Sequence, residues 1–106
     1  MDDRCIDHGL SNATVQALIS IFEQFSKIEK VVLYGSRAKG NYRKGSDIDL
    51  AIYAPDMRDN EFAALWNALD SLSIIYKVDC LHADKIENAA LKHNINEQGK
   101  VFWSPQ

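Results

Sequence analysis

The stretch between residues 31 and 54 constrains the fold of this chain more than any other. It begins with a short apolar run, continues through a Gly-Ser pair and a basic loop, and ends in a second apolar run that opens with Asp47-Ile48-Asp49. Because side chains alternate along a strand, we expect Asp47 and Asp49 to point to one face and Ile48 to the other. Two carboxylates side by side repel each other unless a cation lies between them. The pattern therefore predicts two strands and a cation site beside them.

The chemistry of these residues points to phosphate and magnesium. Carboxylate oxygens suit Mg²⁺, which keeps several waters and takes its remaining ligands from substrate phosphates. In Gly35-Ser36, the glycine lets backbone N–H groups approach an anion. Taken alone, the pair is equally typical of a plain strand-to-helix turn. A P-loop is excluded because Asn41, not lysine, follows Gly40.

The motif resembles the signature of the polymerase-beta-type nucleotidyltransferase superfamily, which is Gly-Ser, ten residues, and Asp-x-Asp. Gly35-Ser36 and Asp47-x-Asp49 match it without a gap. The resemblance covers the chain from about residue 12 onward and is closest to the small members called minimal nucleotidyltransferases. It implies an α/β (α+β) fold with a mixed sheet flanked by helices, and a single nucleotidyltransferase domain over residues 1–106.

The resemblance also implies a role for each residue of the motif. Gly35 and Ser36 are expected to hold a triphosphate, and Asp47 and Asp49 to bind metal. Family members place a third carboxylate on a later strand, and the candidate here is Asp79, within an apolar run. We expect all three aspartates to be catalytic and together to bind two Mg²⁺ ions. The alternative for the third aspartate is a turn or an ion pair.

The charge distribution favours a small anionic ligand. Within eight positions that contain no acid lie four basic residues: Arg37, Lys39, Arg43 and Lys44. The rest of the chain carries eight basic and fifteen acidic residues. The net charge of −3 argues against general nucleic-acid binding. We expect Arg37 and Lys39 to contact the phosphates of ATP, Arg37 with two parallel hydrogen bonds. The alternative is a solvated basic loop.

Composition narrows the cellular context. No apolar run approaches the roughly 20 residues that a membrane helix needs, and the first ten residues are too charged for a signal peptide. Cys5 and Cys80 are too few for a disulfide framework, which favours free thiols in a reducing compartment. We therefore expect a cytoplasmic protein without membrane association.

Hydrophobic periodicity predicts helices interleaved with strands. The first helix is expected to be capped by Ser11 or Asn12. A short helix is expected over residues 36–39, and the last helix is expected to be capped by Asp84 and to end near Gly99. Between them, a long helix capped by Asp59 or Asn60 is expected to face the core with Phe62, Leu65, Trp66, Leu69 and Leu72. Strands are predicted over residues 31–34, 47–54 and 74–82, with an extended tail over 101–103.

The function implied by this resemblance is transfer of AMP from ATP to a hydroxyl, with release of pyrophosphate. Larger relatives bind the acceptor with an added domain, which 106 residues leave no room for. A small helical partner protein is the expected acceptor, and some minimal members act as antitoxins that adenylylate a toxin. Two alternatives stay open, namely a non-catalytic module that binds nucleotide or a partner, and a small-molecule (antibiotic) nucleotidyltransferase.

Overall fold

The computed structural model describes residues 8–105, which form one sheet with helices on both faces. The elements in chain order are α1 (Asn12–Phe22), β1 (Lys30–Tyr34), α2 (Ser36–Lys39), β2 (Ile48–Tyr53), α3 (Asp59–Asp70), β3 (Val78–His82), a 3₁₀ turn (Ala83–Lys85), α4 (Ala89–Gln98) and β4 (Lys100–Trp103). Within these residues, no helix combines the length and apolar character needed to cross a membrane.

The sheet is mixed, as predicted. Its strands lie in the order β3-β2-β1-β4. β1 is antiparallel to both of its neighbours, whereas β2 and β3 are parallel and are connected through α3. A parallel pair requires such a crossover connection. The arrangement brings the beginnings of β2 and β3 and the end of β1 to the same edge of the sheet.

The larger core lies on the face covered by α1 and α3. Alternate residues of β2 point into it and are fully buried: Ile48, Leu50 and Ile52. They pack against the buried positions of the two helices, which are Leu18, Phe22, Leu65 and Leu69. Burial of this face is the main source of stability for the domain.

The opposite face is covered only in part. A small buried cluster lies there between the sheet and α4, formed by Val32, Ala51, Ala83 and Ile95. Tyr34 is partly buried against this cluster. Because side chains alternate, Asp49 and Asp79 share this face. These two predicted carboxylates therefore lie on the less covered side of the sheet.

Several predicted boundaries are confirmed. α1 begins after Ser11, whose hydroxyl accepts a hydrogen bond from the Thr14 backbone N–H at 3.1 Å. α2 covers Ser36–Lys39, as expected. The predicted extended tail forms the edge strand β4, and the rings of Phe102 and Trp103 contact Phe22.

The strand predicted over residues 74–82 was too long. β3 begins at Val78, because its register partner Ile48 is the first residue of β2 and residues 74–77 have no strand beside them. The chain bends there instead, with the Ile74 N–H donating to the Leu72 carbonyl. Similarly, β2 begins at Ile48, so Asp47 lies immediately before the strand and not within it.

The predicted start and core face of α3 need correction. Arg58 is the N-cap residue in place of Asp59 or Asn60, and its backbone N–H donates to the Glu61 side chain at 2.8 Å. Trp66 is 41% exposed and does not belong to the core. Leu65 and Leu69 are buried against the sheet, as predicted, and Phe62 and Leu72 are partly buried against the same core.

The third long helix also begins later than predicted. Asp84 does not cap it, because its carboxylate accepts a hydrogen bond from the Ala54 backbone N–H at 2.6 Å. α4 begins after Asn88, whose side chain caps it by accepting from the Leu91 N–H. Cys80 lies buried in β3 as a free thiol, as predicted, whereas Cys5 falls outside the described residues.

Candidate active site

The candidate site is a row of polar side chains across three strands. Tyr34 at the end of β1 is the register partner of Asp49 in β2, and Asp49 is the register partner of Asp79 in β3. Residues directly opposite each other in a sheet have their side chains on one face. Asp47, an exposed residue, lies two positions before Asp49. The structure thus places Asp49 and Asp79 side by side on one sheet face, with Asp47 just before β2 at the same end of the sheet.

Gly35 lies directly against this row. Its φ of 77° favours glycine, and a Cβ at this position would lie 2.5 Å from Asp49 Oδ2. Any side chain would therefore have to displace the carboxylate, in addition to adopting an unfavourable backbone conformation. The Gly-Ser turn therefore lies in contact with the carboxylate row, by which we mean Asp47, Asp49 and Asp79. Ser36 follows as the first residue of α2.

The negative charges of the row influence one another. The pKa of Asp49 is raised, first by burial and then by the neighbouring charges of Asp79 and Asp47. The pKa of the Tyr34 phenol is raised to about 12, again first by burial and then by Asp49 and Asp79. Both effects disfavour added negative charge. The site is therefore suited to a cation.

The donor set fits Mg²⁺, although the side chains do not converge on one point. Among residues 8–105, no three acidic, histidine or cysteine side chains are grouped closely enough to hold a single ion. Carboxylates repel one another, so a spread arrangement is expected of them. The backbone fixes Asp49 beside Asp79, and their oxygens are the ligand type that Mg²⁺ prefers. Two such ions remain a prediction from sequence.

Arg37 does not occupy the position expected of a phosphate ligand. It is 2% exposed, and its guanidinium donates to the backbone carbonyls of Ser46 and His8. The expectation that it grips phosphate oxygens is therefore corrected, because the N–H groups that would do so are turned into the protein. Sequence reasoning missed this, since nothing in a short basic segment indicates that one of its side chains is buried.

Lys39 is exposed at the end of α2, and Arg43 and Lys44 are exposed in the following loop. Lys39 is in the same short helix as Ser36, so phosphate contact by Lys39 stays a prediction. Tyr34 is the residue of the site that the motif did not indicate. The signal was its position directly before Gly35, at the end of the strand.

Comparison with known proteins identifies relatives by sequence and by fold. Residues 16–106 match the sequence profile of the family described as polymerase beta, nucleotidyltransferase. A protein adenylyltransferase of Shewanella oneidensis, MntA, is 29% identical over 85 residues, which are 79% of this chain and 60% of the relative. The chain thus spans about 60% of the length of this curated relative.

Solved structures share the fold. A toxin–antitoxin structure with AMP-PNP superimposes with a TM-score of 0.70 at 28% identity, covering 87% of this chain and 74% of the other. A putative nucleotidyltransferase from Sulfolobus solfataricus gives a TM-score of 0.50 at 18% identity, with 91% of each chain covered, and speaks for the fold alone. The predicted polymerase-beta-type fold is confirmed.

Proposed function

The chain belongs to the polymerase beta nucleotidyltransferase family, and on that basis we propose that it transfers AMP from ATP to a hydroxyl of a partner protein, releasing pyrophosphate. The observation that carries the proposal is the carboxylate row beside Gly35, with Asp49 and Asp79 in register and Asp47 next to them. A module that only binds a partner has no use for acidic side chains gathered at a phosphate-binding turn.

Each residue of the site has a role in this reaction. The backbone of Gly35 and the hydroxyl of Ser36 bind the β- and γ-phosphates, and Lys39 offsets their charge. Asp47, Asp49 and Asp79 would hold Mg²⁺, which supplies charge neutralisation at the phosphates and lowers the pKa of the attacking hydroxyl.

The reaction needs a group that accepts the proton of the acceptor hydroxyl, and we propose Asp79 as this general base. The acceptor oxygen attacks the α-phosphorus, the bond to the bridging oxygen breaks, and the acceptor proton passes to the Asp79 carboxylate. Asp79 suits this role because it is exposed on the outer strand of the row, where an acceptor has access. Tyr34, with its raised pKa of about 12, stays protonated and adds an O–H donor without a charge.

The proposed acceptor is a small helical toxin, for which this chain is the antitoxin. Two relatives support this: one is a protein adenylyltransferase, and another is part of a toxin–antitoxin structure with AMP-PNP. Exposed positions of Asp47 and Asp79 leave the site accessible to a docked protein. A nucleoside triphosphate substrate agrees with the cytoplasmic location predicted from sequence. We also propose a single nucleotidyltransferase domain over residues 1–106.

The test is to purify the chain with whatever it binds in its native host and to incubate the complex with ATP and Mg²⁺. We expect the intact mass of a copurified protein to increase by one or more AMP groups. Asp79→Asn is the matched variant, because it keeps the shape of the side chain and removes the base. It should retain Mg-ATP affinity and lose turnover by orders of magnitude.

Three results would contradict the proposal. Modification of the partner at the wild-type rate by Asp79→Asn would remove this residue from the chemistry. Binding of ATP and partner with no mass increase would favour the non-catalytic module. Efficient transfer to a small molecule by the isolated chain would favour the antibiotic-modifying alternative.

A further inference from the structure

Arg37 is a buried charge beside the candidate site that the proposed reaction does not use. With 2% of its surface exposed, it is the largest of the buried side chains among the described residues. A charge in such a place is costly unless hydrogen bonds satisfy it. The partners of this guanidinium therefore indicate what it does.

Its hydrogen bonds fasten the segment that precedes Asp47. Nε and Nη2 both donate to the Ser46 carbonyl, at 3.1 and 2.9 Å, and Nη1 donates to the His8 carbonyl at 2.7 Å. Ser46 in turn closes a tight turn with Arg43, since its N–H donates to the Arg43 carbonyl and its hydroxyl accepts from the Arg43 N–H. The residue directly before Asp47 is thus held from two sides.

Two aromatic rings contact the same guanidinium. Its central carbon lies 5.0 Å from the ring centroid of Tyr42 and 4.7 Å from that of Tyr76. Tyr76 lies just before β3, next to Lys77, whose carbonyl accepts a hydrogen bond from the Ile48 N–H at 2.9 Å. From α2, Arg37 therefore reaches the segments that lead into both β2 and β3.

We propose that Arg37 is a positioning residue that sets Asp47 relative to Gly35 and Asp79, and so shapes the metal site without touching substrate. The proposal rests on the function proposed above. A planar guanidinium is needed, because only this group donates twice to one carbonyl while its faces contact aromatic rings. A lysine ammonium keeps the charge but lacks the two nitrogens that donate to one carbonyl.

The experiment measures two affinities in Arg37→Lys and Arg37→Gln. The first is the affinity for Mn²⁺ in the presence of a non-hydrolysable ATP analogue, and the second is the affinity for the analogue alone with a chelator present. We expect Mn²⁺ affinity to fall about tenfold or more, as when supporting partners of metal ligands are removed. We expect affinity for the analogue without metal to stay close to that of the wild type. Lysine should not rescue the loss.

Two further variants make the result decisive. Arg58→Gln removes an exposed arginine at the start of α3, and should leave both affinities unchanged. Tyr76→Leu removes a ring from the guanidinium while retaining all of its hydrogen bonds, and should weaken Mn²⁺ binding in the same direction but less. This variant decides the question if Arg37→Gln does not fold, with thermal unfolding as the check.

Unchanged Mn²⁺ affinity in the Arg37 and Tyr76 variants would overturn the proposal and leave the proposed function intact. Loss of analogue binding in the chelator arm would also overturn it, because that result assigns Arg37 to the phosphates. Absence of Mn²⁺ binding in the wild-type protein would overturn both this proposal and the metal-dependent reaction.

Discussion

The two faces of the sheet divide stability and chemistry between them, and β2 takes part in both. On one face, Ile48 and Leu50 are fully buried beneath α1 and α3. On the other, Asp49 lies between them in sequence and stands beside Asp79, with its side chain only partly covered. Strand alternation therefore places a catalytic candidate within a core strand, held in position by its two buried neighbours.

The difference has an energetic meaning. Apolar burial stabilises the domain by roughly 25 cal/mol per Å² removed from water. The carboxylate row acts in the opposite sense, because burial and neighbouring charges raise the pKa of Asp49. A carboxyl whose folded-state pKa is raised contributes stability below its unfolded pKa, and this contribution is lost as pH rises through the folded value. At neutral pH the site is therefore maintained by the core on the other face.

The largest expected effect belongs to Asp49→Asn. The change removes a charge with little alteration of shape, so nucleotidyl transfer should fall by orders of magnitude. The free energy of unfolding should be equal to or higher than that of the wild type at pH 7, because the ionised carboxylate is disfavoured in the folded state. Activity assays and urea titrations measure the two quantities.

The pH dependence of the stability difference between the wild type and Asp49→Asn makes the same test more specific. The stability advantage of Asp49→Asn should shrink as pH falls below the raised pKa of Asp49, where the wild-type carboxyl becomes neutral as well. If the variant were much less stable than the wild type at pH 7, Asp49 would be a structural residue. The assignment of stability to one face and chemistry to the other would then be wrong.

The next largest effect is expected from the neighbouring position on the opposite face. Leu50→Ala removes a fully buried side chain from the larger core, and should lower the free energy of unfolding by about 2–5 kcal/mol. At a temperature where the variant remains folded, its affinity for Mg-ATP should stay close to that of the wild type. A loss of affinity without a loss of stability would contradict the assignment of this face.

Ser36→Ala should have a smaller effect, confined to ligand binding. The variant loses one hydroxyl donor, which is worth on the order of 1 kcal/mol, or about fivefold in affinity for a triphosphate. Calorimetric titration with a non-hydrolysable analogue measures it. Unchanged affinity would show that the hydroxyl does not contact the phosphates, and that the turn binds them through its backbone.

The smallest effect concerns the thiol of Cys80, which faces the core. Burial, and then the nearby Asp79, raises its pKa to about 12. In Cys5→Ser, which leaves Cys80 as the only thiol, alkylation at pH 8 should be slow until the protein is unfolded. Because the folded pKa is raised, the contribution of this thiol to stability is present below about pH 9 and is lost towards pH 12. Rapid alkylation of the folded protein would place Cys80 on the accessible face.

The sequence predicted which motif residues lie near one another better than it predicted the ends of the elements. Gly35-Ser36 and the Asp-x-Asp pair carry their own spacing, so their placement beside one another did not depend on any boundary. The start of β3 was misplaced because residues 74–77 have strand-like composition, and strand length there is set by the pairing partner Ile48. A single segment does not contain that information.

Burial by tertiary contact accounts for the remaining differences. Trp66 follows the apolar spacing of α3 but is 41% exposed, whereas Leu65 and Leu69 are buried against the sheet. Arg37 lies in a basic run and was expected to contact the phosphates. Its guanidinium instead donates hydrogen bonds to carbonyls that are distant in sequence. Both outcomes depend on residues that only the folded chain brings together.

The most direct test of the central claim is to compare ATP labelled at the α-phosphate with ATP labelled at the γ-phosphate, in the presence of Mg²⁺ and the copurified partner. Nucleotidyl transfer predicts that the partner gains the α label alone, that the γ label leaves as pyrophosphate, and that Asp49→Asn abolishes the reaction. Transfer of the γ label, or transfer of the α label by Asp49→Asn at the wild-type rate, would contradict the account.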